Sequence, residues 1–239
     1  MNIFRRLISA IQSKSRFLLE QKWGIVNPTD PFSISKSLLK RYLPGNAVMI
    51  DCGAHIGSDS IELARIFPQS MVHSFEPVPA IFSQLKKNTK QYSNIKSHQL
   101  ALSNKDGVAR MYVSSGVSDA SSSLLQPTGH LNDHPDVYFD DTIDIRTITL
   151  DKWAEENNIP AVDFLWLDMQ GFEFKMLEAS ARIFPTVKAI HTEVSMRETY
   201  ENAILYTDFK IWLEAKGFRL VKEAIPPGAD MGNALFVRG

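Results

Sequence analysis

Short apolar runs and stretches of helical period take turns along most of the chain. Residues 47–50 (Ala-Val-Met-Ile) run into Asp51, the profile of a strand buried on both faces of a parallel sheet. A glycine-containing turn follows, then residues 58–67, where Ile61, Leu63, Ala64 and Phe67 supply the buried side of a helix that Pro68 ends. Residues 71–75 predict a second strand closing at Glu76-Pro77, residues 80–89 a second helix, and residues 95–102 a third strand. After the turn Asn104-Lys105-Asp106-Gly107, residues 108–113 read as an added strand. Residues 143–150 alternate as a strand, 151–158 are helical, 162–167 form a buried strand ending in Asp168, 172–183 a helix, and 187–192 a strand ending at Glu193. Residues 208–216 form a helix with Phe209, Trp212 and Leu213 apolar and Gly217 as its stop, and residues 219–224 and 234–237 are the last two strands. This alternation implies an α/β fold: a mainly parallel, doubly wound sheet with helices on both faces.

Two segments break the rhythm. Residues 114–142 are rich in Ser, Asp, Gly and Pro and predict a long loop, of a length that is usually functional or mobile. Its Val137-Tyr138-Phe139 suggests a lid over an apolar part of a substrate. Near the N-terminus, residues 1–22 carry Arg5, Arg6, Lys14, Arg16 and Lys22, with Phe4, Leu7, Ile8, Ile11 and Leu18 at helical spacing. This predicts a basic amphipathic helix that packs on the domain or on a partner chain; peripheral contact with an anionic membrane is the alternative. Without a long apolar core or a small-residue cleavage site, it does not read as a signal peptide. Residues 23–45 are a connector, with turn chemistry at 27–31 and a short helix at 34–42. The expected division is therefore an N-terminal helical extension and connector, 1–45, and one α/β domain, 46–239.

Composition narrows the function classes. The 239 residues are 44% hydrophobic and 22% charged with net charge −1, so the chain lacks the electrostatic footprint of a nucleic-acid binder. The single cysteine, Cys52, excludes an internal disulfide and a Cys-rich zinc site, and it suits a reducing, cytoplasmic setting. No apolar run reaches the roughly 20 residues that span a bilayer. Oligomeric state is not readable from these features. Asp133, Asp136, Asp140, Asp141 and Asp144, with His130 and His134, suit a Mg or Ca site in type. An acidic run in a loop is ordinarily solvated, however, and no metal is expected.

The chemistry concentrates at strand ends. In open α/β sheets ligands sit at the carboxyl ends of the strands, and Asp51, Glu76, Asp168 and Glu193 each close a predicted strand. The turn Asp51-Cys52-Gly53-Ala54-His55-Ile56-Gly57 spaces its glycines G-x-x-x-G. That is neither the dinucleotide G-x-G-x-x-G nor a P-loop. Gly53 lets the backbone approach a ligand, and Asp51 is suited to orient an ammonium. Glu76 follows twenty-five positions after Asp51, where a carboxylate accepts both hydroxyls of an adenosine ribose.

These segments resemble the FkbM family of methyltransferases. Residues 48–57 look like its first motif, with His55 where Asn is usual. Phe75-Glu76-Pro77 matches the second, and Ala101-Leu102-Ser103 followed by Gly107 resembles the third-strand segment. Ser121-Ser122-Ser123-Leu124 resembles a Ser-rich element, and Thr149-Leu150-Asp151 and residues 168–173 (Asp-Met-Gln-Gly-Phe-Glu) resemble two later signatures. The resemblance implies a class I (Rossmann-like) methyltransferase with a mostly parallel, seven-stranded sheet. It implies S-adenosylmethionine as cofactor and a hydroxyl on a sugar, glycan or small natural product as acceptor. By the same resemblance Asp51, Gly53, Ala54, His55 and Gly57 line the cofactor's tail. Glu76 holds the ribose, Pro77 shapes the site, Ser103 lies near the adenine and Asp168 contacts the cofactor.

Methyl transfer to an alcohol requires in-line alignment at about 3 Å and a proton acceptor. Asp168, Glu193 and His191 are the candidate bases; Glu193 and His191 are two apart and share one strand face. His55 is a further candidate if it points across the pocket. Gln170, Glu173 and Ser122 are candidate acceptor contacts, although an acid in the first helical turn, such as Glu173, also favours the helix dipole. Two other readings compete: a non-catalytic adenosyl-nucleoside-binding scaffold and an NAD-dependent enzyme, and the G-x-x-x-G turn argues against the latter.

Overall fold

The computed structural model describes residues 30–239; the basic segment 1–22 lies outside them. After a 3-10 turn at Lys36–Arg41, the chain order is β1 (Val48–Cys52), α1 (Ser58–Ile66), β2 (Met71–Phe75), α2 (Pro79–Thr89), β3 (Ile95–His98), β4 (Ala101–Leu102), β5 (Gly107–Gly116), α3 (His130–Asp133) and β6 (Val137–Ile148). Then follow α4 (Leu150–Glu156), β7 (Phe164–Leu167), α5 (Glu173–Glu178), β8 (Ala189–Ser195), α6 (Tyr206–Ala215), β9 (Phe218–Ala224) and β10 (Met231–Arg238). Seven strands make the main sheet in the order β3-β2-β1-β7-β8-β10-β9. The first five are parallel to one another, and β10 runs antiparallel to both β8 and β9. This is the mostly parallel, seven-stranded sheet that the sequence resemblance implies.

Period two along the central strands sorts their side chains into two cores. Ile50, Leu165, Leu167 and Ile190 face one side with Trp153, Met176, Leu177 and Phe209. Met49, Phe164, Trp166 and Ala189 face the other with Leu63 and Ala64 of α1. Ile34, Leu39 and Leu43 join this second core, so the described part of the connector packs against the sheet.

The structure departs from the pattern in three places. The third predicted strand splits: β3 stays in the main sheet, whereas β4 leaves it to pair with β6 in a second, three-stranded sheet ordered β4-β6-β5. The predicted 114–142 loop shrinks to 117–136, because β5 continues to Gly116 and β6 begins at Val137. Residues 137–139 are thus strand, not lid tip. The outer part of this hairpin is held by backbone pairing while much of β6 faces water, so no apolar alternation marks residues 137–142. The helix predicted over 172–183 stops at Glu178. The Asp151 carboxylate accepts the N–H groups of Arg182 (2.7 Å) and Ile183 (2.9 Å), drawing the chain off the helical path.

Candidate active site

Register brings the strand-end acids together. Cys52 lies beside Phe75 and Leu167, and Leu167 beside Thr192. One residue further along each chain, Gly53, Glu76, Asp168 and Glu193 follow in a row across the sheet. The first three lie just past their strands, whereas Glu193, expected to close its strand, is paired with Asn233 inside β8, which runs on to Ser195. Asp51 lies two residues below Gly53, on the same face of the strand.

Gly53 has φ 79°, and a Cβ there would stand 1.9 Å from the Asp168 carbonyl oxygen. Only glycine allows the turn after β1 to press so closely on the turn after β7. The N–H groups of Gly53 and Ala54 both donate to the Phe75 carbonyl, at 3.1 and 2.9 Å. This folds the turn over toward Glu76. That carboxylate accepts the His55 N–H at 3.1 Å and the Val78 N–H at 2.8 Å. Burial nevertheless pushes Glu76 up to about 7. Asp51 is buried and accepts a short hydrogen bond from the Ser60 hydroxyl, while its Oδ1 has no partner among the described residues. Burial, then the Asp59 charge, drives Asp51 up to about 8.

A narrow crevice opens at this row. Gly53, His55, Glu76, Pro77 and Asp168 line one side, Leu100, Ala101, Leu102 and Met111 an apolar side, and Asp119, Ala120 and Ser122 an outer wall. His55, at φ 48°, reaches Asp119 with its Nε2 at 2.9 Å. Burial opposes a charge on this ring, but the Asp119 hydrogen bond and charge outweigh it and raise its pKa.

Other predicted residues lie elsewhere. Ala54 is buried but does not line the crevice, and Gly57 packs α1 on α2, where a Cβ would meet Leu85 at 2.7 Å. Ser103 is buried beyond the crevice, its N–H on the Ile148 carbonyl at 2.9 Å; its neighbours Ala101 and Leu102 line the wall instead. Ser122 ties to Ser114 N–H at 3.0 Å as well as lining the crevice. His191 stacks face to face on Trp166 with centroids 3.6 Å apart. Burial lowers His191 to about 3, which leaves it neutral and weakly basic. Glu173 accepts the Met169 N–H at 2.7 Å, in the capping manner, and burial raises it to about 7. Glu173 also borders a second small hollow with Gln170, Glu193, Tyr200 and His134.

Asp168 and Glu193 are joined through Gln170. Its amide nitrogen donates to Asp168 Oδ1 at 2.6 Å and to Glu193 Oε2 at 3.0 Å. Burial raises Asp168 to about 6; burial and then the Asp168 charge push Glu193 well above the usual carboxylate range. Sequence reasoning missed Ser60, Asp119 and Tyr200. Tyr200 lies in the irregular stretch after β8, and no local pattern announces its contact with Gln170. Among the described residues no group of three or more His, Cys, Asp or Glu side chains is arranged to hold a metal ion. No described helix is long and apolar enough to cross a membrane.

Residues 51–220 match the model of the Methyltransferase FkbM domain. The chain belongs to the FkbM methyltransferase family. It is 27% identical over 203 residues to the 2-O-methyltransferase NoeI of Sinorhizobium fredii, spanning 83% of this chain and 82% of that protein. To Methyltransferase 1 of Beauveria bassiana it is 24% identical over 216 residues, 79% of this chain and 80% of the relative. The crystal structure of an FkbM methyltransferase from Methylobacillus flagellatus KT superposes with TM-score 0.56 at 14% identity. That match covers 89% of this chain and 48% of the other, and it shows the shared fold.

The cofactor of this methyltransferase is S-adenosylmethionine, and the residues present fit it. A cationic sulfonium and an ammonium suit a floor of buried acids, and the unpartnered Asp51 Oδ1 is an acceptor awaiting a donor.

Proposed function

We propose that this methyltransferase transfers the methyl group to a hydroxyl oxygen of a sugar, glycan or small natural product. Bound S-adenosylmethionine supplies an electrophilic methyl carbon already activated by the positive sulfur. Glu76 accepts the ribose hydroxyls, Asp51 attracts the ammonium of the amino-acid tail, and Pro77 with Leu100–Leu102 flanks the base. The crevice encloses about 60 Å³, well below the roughly 300 Å³ of a small-ligand pocket. Residues 119–122 and their His55–Asp119 bridge therefore swing outward to admit the cofactor. The acceptor approaches from the side of the second hollow, near Gln170 and Glu173, with Ser122 on the cofactor side. Asp168 and Glu193 receive its proton. His191, neutral and stacked on Trp166, supports the strand and takes no part in the proton transfer.

The observation that carries this reading is the row of Gly53, Glu76, Asp168 and Glu193 at one end of four adjacent parallel strands. Its support for oxygen as acceptor atom is the name of the Sinorhizobium relative, a 2-O-methyltransferase. Calorimetry with S-adenosylmethionine, S-adenosylhomocysteine and NAD tests the site: the first two bind and NAD does not. Glu76→Ala weakens both adenosyl ligands by about tenfold or more, the loss of charge-assisted hydrogen bonds. Unchanged affinity removes the ribose assignment. Incubation of an oligosaccharide pool with methyl-labelled cofactor, read by mass spectrometry, places the label on oxygen; label found only on nitrogen or carbon refutes hydroxyl transfer.

A further inference from the structure

Among the described residues, the Asp168 and Glu193 carboxylates are joined through one carboxamide. Both hydrogens of the Gln170 amide are spent on carboxyl oxygens, at 2.6 and 3.0 Å. The amide oxygen faces the Tyr200 hydroxyl at 2.9 Å, and that hydroxyl also stands 2.9 Å from the Ser121 carbonyl oxygen. The backbone is fixed as firmly as the side chain. Gln170 has φ 53°, outside the usual range for a non-glycine residue, and its carbonyl accepts the Ser123 hydroxyl at 2.8 Å. Tyr200 is 2% exposed and Gln170 9%, so water does not make up a missing partner.

Counting hydrogens gives this arrangement a consequence. A tyrosine hydroxyl has one hydrogen, and a main-chain carbonyl only accepts. With the Tyr200 hydrogen on Gln170 Oε1, the amide nitrogen faces the acids and stabilises them as carboxylates. With the Tyr200 hydrogen on the Ser121 carbonyl, a half-turn of the amide lets its nitrogen donate to Tyr200. Its oxygen then meets both acids in place of two donors, and its second hydrogen gives up a carboxylate acceptor. This arrangement is therefore reached only when a carboxyl there carries a proton to donate to the amide oxygen. The two arrangements differ by that proton.

We propose that Gln170 and Tyr200 are positioning residues that couple the proton count of the Asp168–Glu193 pair to the orientation of the Gln170 amide. This rests on the reading of that pair as the acceptor's base. In the transfer, a bond forms between acceptor oxygen and methyl carbon, and the carbon–sulfur bond breaks with its electrons left on sulfur. The acceptor's proton passes to the pair, and the amide turns to accept from it. The charged and titratable groups facing the pair are Asp51, Asp59 of α1, His55 of the turn after β1, Glu173 of α5 and Tyr200 itself. None of these but Tyr200 bonds to the amide.

The test uses the full-length protein and needs no acceptor. S-adenosylmethionine carries a positive sulfur and S-adenosylhomocysteine does not, so the ratio of their affinities reports the charge of the pair. Calorimetry between pH 5.5 and 7.5 follows that ratio below the range where an α-amino group titrates. In the wild type the ratio rises about tenfold across this interval, as for one ionisation. Tyr200→Phe removes the hydrogen that holds the amide nitrogen toward the acids. The midpoint then moves to higher pH, and the ratio at pH 6.5 falls about threefold, a half-unit displacement. Gln170→Leu moves it further in the same direction. A purely structural role weakens both ligands alike and leaves the midpoint in place. That outcome overturns the proposal, as does a wild-type ratio that does not change with pH. Failure of both ligands to bind the wild type overturns instead the cofactor assignment on which the ratio depends.

Discussion

Glu76 gives the sharpest link between the fold and cofactor affinity. Its carboxylate accepts two backbone N–H groups, yet burial holds it at about 7, well above the ordinary 4.5 of a glutamate. A ribose presents hydroxyl donors, so the form that binds is the carboxylate. In the free protein roughly a tenth of the molecules carry Glu76 ionised at pH 6 and roughly nine-tenths at pH 8. Ligand binding at pH 6 must therefore release a proton, and affinity tightens about tenfold from pH 6 to pH 8, about 1.4 kcal/mol. Methylthioadenosine is the suitable ligand because it retains the ribose and lacks the amino-acid tail, which brings the other acids into play. Calorimetry in two buffers of different ionisation enthalpy reads both the affinity and the proton released. In Glu76→Gln the affinity is weaker, and this tenfold slope disappears. His55 also titrates near the crevice, so His55→Asn, the residue usual in the resembling motif, serves as the control and retains the slope. A wild-type affinity constant across pH 6–8, or an equal slope in Glu76→Gln, refutes the argument.

Two further outcomes follow from the same geometry. Gly53→Ala combines a left-handed backbone, about 1–2 kcal/mol, with a Cβ that collides with a main-chain oxygen at 1.9 Å, an overpacking cost of about 1–3 kcal/mol. Urea unfolding should show a loss of about 2–5 kcal/mol. Gly57→Ala meets only side-chain ends, Leu85 Cδ1 at 2.7 Å and Thr89 Cγ2 at 3.1 Å, and loses about 1–2 kcal/mol, chiefly from its backbone; equal losses at the two positions contradict the close approach of the β1 and β7 turns. Stability of the cofactor-free protein should decline from pH 5 to pH 8. Asp168 at about 6, Glu76 and Glu173 at about 7 and Asp51 at about 8 all stand above their ordinary values. Burial holds His73, His98 and His191 at about 3, 4 and 3, and these pull the other way below their ordinary 6.5. The acids outweigh them, most plainly above pH 6.5, so the folded state holds more protons than the unfolded one and the slope of stability against pH is negative. Thermal melts across that range, rising instead of falling with pH, would show that these acids are already ionised in the folded protein.

The parts of this fold that could be read from sequence are those whose signal is local. The buried runs at 47–50, 71–75 and 162–167 are marked by their own residues, and the acid closing each one is adjacent in the chain. Gly53 and Glu76 were legible because a turn glycine and a strand-end acid each state a backbone need. The β5–β6 hairpin was only half legible, because its outer portion, Ser114–Gly116 with Val137–Asp141, lacks an apolar alternation and is held by backbone pairing with partners more than twenty residues away. The end of α5 is set by Asp151, a side chain more than twenty residues upstream. His191 and Glu193 share a strand face as period two requires, but the sequence does not say that Trp166 stands beside one of them and Gln170 beside the other.

What separates this site from a dinucleotide site is the sign of its charge. A pyrophosphate placed in the crevice would meet Glu76 and Asp168, with Asp51 buried behind them and no described lysine or arginine in the lining, and burial would magnify each repulsion. For a cofactor whose sulfur and ammonium are both positive, the same acids are attractive. Burial is the largest cause of their raised pKa values in the free protein, and a cation beside them would lower those values. Placing a positive sulfur there favours ionisation of the row, and the neutral thioether left after transfer removes that support. On the proposed assignment of the site, the charge pattern would favour binding of the methyl donor over retention of the product, through carboxylates that register brings side by side.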